Sequence, residues 1–96
     1  GNTSNTATAD FSEADPGGPT VKSASFSGSR ITVKGKSFNG QLQLEINGVI
    51  VATKDNTSKK KLKINGDQTA LNLRGGPNRI RVRKNGLWSN IELLNL

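Results

Sequence analysis

At 96 residues the chain has room for one domain and not two. Only 31% of residues are hydrophobic and 4% aromatic, so the core must be thin, and the absence of Cys and His excludes disulfides, thiolate zinc sites, thiol nucleophiles and histidine acid–base chemistry. Fourteen basic residues against seven acidic ones give a net charge of +7, and no apolar run approaches the ~20 residues that cross a bilayer, so no membrane span is expected.

Residues 1–19 are rich in Thr, Ser, Asn, Ala and Gly, with Phe11 as the only large apolar side chain. Such a segment buries too little surface to offset its ordering entropy. It is read as a flexible linker or disordered tail ending at Pro16-Gly17-Gly18-Pro19, with a folded domain over 20–96. The chain opens on Gly1 and not Met, so any natural start and export signal are expected upstream. Asp10, Glu13 and Asp15 lack the spacing of a calcium loop. Residues 20–96 hold all 14 basic residues and four acidic ones, a net charge of +10.

From Thr20 the pattern has period two. After a first strand near Val21, Ile31 and Val33 alternate with Thr32 and Lys34. Leu42, Leu44 and Ile46 alternate with Gln41, Gln43 and Glu45, and Asn47-Gly48 then separates that strand from VIVAT. Leu62 and Ile64 alternate with Lys61 and Lys63, and Gly75-Gly76-Pro77 is read as the end of a further strand. Ile80 and Val82 alternate with Arg79, Arg81 and Arg83, and Asn85-Gly86 turns the chain into a last strand in which Ile91 and Leu93 alternate with Asn90 and Glu92. Alternation of this kind marks strands with one buried and one wet face. The Asn-Gly pairs at 47–48 and 85–86 predict type I′ hairpin turns, which need positive φ at both central residues. About seven short antiparallel strands with regular turn signals predict an all-β sandwich, with a small oligonucleotide-binding-type barrel as the rival.

Several pieces of the chain resemble the IPT/TIG family over about residues 19–96. Pro19-Thr20-Val21 opens the match. ITVKGKSF (31–38) looks like the family's strand followed by Gly-x-x-Phe, and LEING (44–48) like its strand-to-turn motif. NRIRVRKNGLWSNIELL (78–94) resembles the closing hairpin with its Ser-Asn pair, here Ser89-Asn90. The resemblance implies an immunoglobulin-like two-sheet sandwich of E-set type. It places the strands near Val21, 31–36 and 61–64 in one sheet and those near 42–46, 80–82 and 91–93 in the other. It further implies a bacterial accessory module, extracellular or in the cell envelope, with flanking domains of a parent protein as partners. The cysteines of the receptor branch and the DNA-contacting loops of the transcription-factor branch have no counterpart. No catalytic or cofactor residue is carried over, and no enzyme activity or cofactor is expected.

Three features are candidates for binding. Lys59, Lys61 and Lys63 lie in or beside one strand, with Lys34 and Lys36 on its neighbour, Lys60 within the same run and Lys22 nearby. No carboxylate is expected on that face, so the lysines either bind an anion or guard the sheet against aggregation. Period two also aligns Arg79, Arg81 and Arg83 on one face, either as an anion site or as partners of Glu45 and Glu92 on the adjoining strands. Trp88 is either a stacking platform or a partly buried edge residue, the second being preferred. Glu45 and Glu92 are read as ion-pair partners, not as a glycosidase acid and base. Asn2-Thr3-Ser4 and Asn56-Thr57-Ser58 fit the glycosylation pattern by chance.

The expectation is a non-catalytic interaction or spacer module of an exported bacterial protein, binding protein or anionic polysaccharide. The alternative is a cationic anion-binding domain for acidic polysaccharide or nucleic acid. Specific nucleic-acid reading is disfavoured by the poverty of aromatic side chains.

Overall fold

The computed structural model describes residues 14–96 and contains no helix among them. Residues 1–13 lie outside the described part, and with them the candidate calcium residues Asp10 and Glu13, Asn2-Thr3-Ser4 and most of the expected linker.

Eight strands follow in chain order: β1 (Thr20–Ser27), β2 (Arg30–Lys36), β3 (Gly40–Ile46), β4 (Val49–Asn56), β5 (Lys61–Asn65), β6 (Pro77–Lys84), β7 (Leu87–Trp88) and β8 (Glu92–Asn95). All pair antiparallel. A three-stranded sheet has the order β1-β2-β5, and a five-stranded sheet has β4-β3-β6-β7, with β8 pairing β6. β7 and β8 share the edge of β6 that β3 does not use. The result is an immunoglobulin-like two-sheet sandwich, not a closed barrel. Both expected Asn-Gly hairpins form, with φ of 54° and 88° at Asn47 and Gly48 and of 54° and 79° at Asn85 and Gly86.

The inward residues of the alternating strands fill the space between the sheets. Ile31, Val33 and Leu62 of one sheet meet Leu42, Leu44, Ile46, Ile80 and Val82 of the other, all fully buried. Gly35 is fixed by close approach: a Cβ there would sit 1.8 Å from the Thr20 carbonyl oxygen and 2.8 Å from the Phe38 ring. Phe38, fully buried, covers the space that a side chain at 35 would need.

Two sequence expectations are corrected. Gly75-Gly76-Pro77 does not end a strand; Pro77 begins β6, and residues 66–76 form none. That segment is a compact turn held by Asp67, whose Oδ1 accepts from Ala70 N and whose carbonyl accepts from Leu71 N. It delivers Leu71 and Leu73 to the core. In β8 the faces are also shifted by one. Leu94 is buried and Leu93 is 49% exposed, because Asn78 pairs with Leu94, Arg79 with Leu93 and Ile80 with Glu92. Asn90 spends its side chain on β1, the chain resumes pairing only at Glu92, and a one-residue change of register inverts every face.

Of the expected linker, residues 14–19 lie against β7. Asp15 N donates to the Trp88 carbonyl, Trp88 N donates to Asp15 Oδ2, both at 2.9 Å, and Pro19 is buried.

Candidate anion-binding site

The outer face of the three-stranded sheet follows from the alternation that builds its inner face. With Ile31, Val33 and Leu62 inward, Thr32, Lys34, Lys61 and Lys63 must point outward. The register then sets Lys34 directly opposite Lys61, with Ser23 on its other side, and Thr32 opposite Lys63. Lys22 occupies the bulge where the β1–β2 register shifts between Val21 and Ser23.

The loop before β5 adds to this cluster. Gly35 N donates to the Lys60 carbonyl at 2.9 Å and Phe38 N to the Lys59 carbonyl at 3.0 Å, which carries the backbone pairing beyond the strand end. Ser58 Oγ accepts from Lys60 N and Lys61 N. Asn56 anchors the turn from within, its Nδ2 donating to the carbonyls of Phe38, Ser58 and Lys61 at 2.8–2.9 Å. This accounts for a buried Asn in a glycosylation-like triplet: its amide is occupied by the fold.

An open depression of about 450 Å³ results, lined by Lys22, Lys34, Gly35, Lys36, Lys60 and Lys61. No carboxylate lines it, and among the described residues none of these five lysines enters an ion pair. Lys34, Lys36 and Lys61 therefore come together as predicted. Lys59 and Lys63 lie outside the lining; Lys63 sits one row further along, and its carbonyl accepts from Lys54 Nζ at 3.1 Å. Lys22 and Lys60 complete the depression. Period two did not single them out, because one stands in a bulge and the other in the loop before its strand.

Five ammonium groups around one depression repel each other, and the directly opposed Lys34–Lys61 pair is destabilising. An anion placed there would offset that repulsion. Ammonium groups act on it as mobile point charges, without the fixed fork geometry of arginine.

The arginine ladder is different in kind. Arg81 grips Glu45 with two bonds, Nε to Oε1 at 2.5 Å and a terminal nitrogen to Oε2 at 3.1 Å, and lies 3.7 Å from the centroid of the Trp88 ring. Trp88 is thus a half-buried edge residue beneath an arginine. The expected role of Glu92 is corrected. It pairs across from the inward Ile80, on the opposite face of the sheet from Arg79, Arg81 and Arg83, so it flanks no arginine of the ladder and cannot act together with Glu45.

Ser89 and Asn90 are structural. Ser89 Oγ accepts from Val82 N at 2.8 Å and donates to the Asn90 carbonyl, and Asn90 bonds to the backbone of Val21. No protein-family model, curated protein or solved structure matches this chain.

Proposed function

We propose that the chain is a non-catalytic interaction module that holds an acidic polysaccharide against the lysine depression of its three-stranded sheet. The observation that carries this is the convergence of Lys22, Lys34, Lys36, Lys60 and Lys61 with no carboxylate in the lining. No aromatic side chain lines the depression either: Phe38 is buried, Phe26 belongs to the inward set of β1, and Trp88 is in the other sheet. A nucleic-acid strand would have no stacking surface there. The IPT/TIG assignment, and with it a place in a larger exported bacterial protein, is part of the same proposal. It is supported by what the resembling residues do: Gly35 passes under the Thr20 carbonyl, Phe38 covers it, and Ser89-Asn90 ties the closing hairpin to β1.

The test is retention on immobilised heparin and on a polyuronate across a salt gradient. Retention well above physiological salt, lost in the Lys60→Glu/Lys61→Glu variant, is expected; elution at or below physiological salt overturns the reading. Turnover of any substrate in a hydrolase panel would overturn the non-catalytic part.

A spacer role is a second reading with its own observation. Asp15 pairs with Trp88 beside the C-terminal end of β6, and Leu96 pairs with Gly76 at its N-terminal end. The two described ends of the chain are thus separated by the length of an eight-residue strand, about 26 Å. That geometry strings neighbouring domains in line. A fusion carrying a globular domain at each end should scatter X-rays as an extended particle; a compact particle with the two ends together would exclude it.

A further inference from the structure

The outer face of the five-stranded sheet carries a second cavity, of different chemistry. The register places Thr53, Gln43, Arg83 and Trp88 in one row across β4, β3, β6 and β7. Arg81, one row away, is engaged by Glu45. Arg83 is not. Among the described residues it forms no ion pair and no side-chain hydrogen bond, and its Nε is buried without a partner. Its two terminal nitrogens are not buried and make no hydrogen bond, so they are open to an anion with paired oxygens.

The space beside it is mostly polar. An open cavity of about 260 Å³ is lined by Gln41, Gln43, Thr53, Arg83, Asn85 and Gly86. The Asn85-Gly86 turn, with both residues at positive φ, borders it. Amides and a hydroxyl both donate and accept. Asp55, opposite Gln41 in the register, stands on the same face but does not line the cavity.

We propose that this cavity is a subsite for a single hexuronate residue, its carboxylate on Arg83 and its hydroxyls on the side chains of Gln41, Gln43, Thr53 and Asn85. A phosphate or sulfate offers only acceptors and would leave the amide oxygens unmatched. A neutral sugar would leave the guanidinium without a counter-charge. The cavity is smaller than the ~300–1,000 Å³ clefts that take drug-sized ligands, which fits one ring and not a chain segment. The site lies on the other sheet from the lysine depression and stands or falls separately from it.

Trp88 is the only tryptophan of the chain, and its ring centroid lies 5.2 Å from the Arg83 guanidinium. Its emission therefore reports on occupancy. Titration of the full chain with an oligogalacturonate should give a saturable change in tryptophan fluorescence, and a neutral malto-oligosaccharide or inorganic sulfate should give none. Arg83→Gln should weaken binding by roughly tenfold or more; Lys60→Glu/Lys61→Glu, which removes the separate lysine site and with it retention above physiological salt, should keep the saturable tryptophan response of this cavity. Gln43→Glu, nearly isosteric and directly opposite Arg83, supplies the missing counter-charge from within and should abolish binding even if Arg83→Gln does not fold. The proposal is overturned by an absent or non-saturable response, by an equal response to the neutral sugar or sulfate, by undiminished binding in Gln43→Glu, or by loss of the response in the lysine variant alone.

Discussion

The side-chain amide of Asn90 makes both hydrogen bonds that a neighbouring strand would make to Val21. Val21 N donates to Asn90 Oδ1 and Asn90 Nδ2 donates to the Val21 carbonyl, each at 2.9 Å. One side chain on the connection between β7 and β8 thereby holds the edge of the opposite sheet, next to the bulge at Lys22 where ordinary pairing is interrupted. β1 and β8 pack side by side along this seam.

Asn90→Ala should therefore lower stability by about 1–3 kcal/mol, because both backbone groups of a buried residue lose their partner. Asn90→Asp should cost a similar amount: it keeps the acceptor but sets a carboxylate oxygen against the Val21 carbonyl. Urea denaturation measures both, and a loss below ~0.5 kcal/mol for either would show that water replaces the amide.

Gly35 tolerates no side chain. The Thr20 carbonyl lies 1.8 Å from the position of a Cβ and is backbone, so it moves only if β1 moves. Gly35→Ala should destabilise by about 1–3 kcal/mol or more. The companion Phe38→Leu, which empties space in the same place, should cost about 1–3 kcal/mol as well. Thermal and urea unfolding of both variants test this; a neutral Gly35→Ala would contradict the close approach.

Asn56 fits a glycosylation triplet and is used otherwise. It is 7% exposed, and its amide serves three carbonyls of the turn that presents the lysines. Asn56→Ala should cost about 1–3 kcal/mol and loosen the loop at 57–60. Expressed in a glycosylating host, the folded protein should carry no glycan at this position by mass spectrometry. A modified Asn56 in folded protein would refute the assignment.

Lys61→Glu separates stability from binding. It replaces the opposed Lys34–Lys61 pair by an attractive one, which should raise stability by about 0.2–1 kcal/mol at low salt. Salt should shrink the gain, since both groups are exposed. The same variant should lose retention on a polyuronate above physiological salt. A residue kept at a cost in stability because it binds shows this combination. Lower stability, or unchanged retention, would assign the lysines a purely protective role.

Much of the fold was legible because its signals are local. The alternation in β2, β3, β5 and β6 and the two Asn-Gly turns need only the period of a strand and the φ preference of two residues. The lysine and arginine faces were legible for the same reason. β8 was misread because Ile91-Glu92-Leu93-Leu94 offers apolar residues in both phases, and only pairing with β6 selects Leu94 as the inward one. Leu71 and Leu73 were missed because their segment follows no strand or helix period; buried turns carry no periodic signal.

The two binding surfaces divide in the same way. Composition and alternation alone give a β-structured, strongly cationic chain with Lys34, Lys61, Arg81 and Arg83 on wet faces, because alternation and charge are properties of neighbouring residues. Which cations are already satisfied is set by the pairing of the strands. Glu45 sits directly opposite Arg81 and engages it, Glu92 turns to the other face, and the depression around Lys34 and Lys61 receives no carboxylate. Whether a charge has a partner depends on register between strands far apart in the chain, and one residue of register moves a side chain to the opposite face.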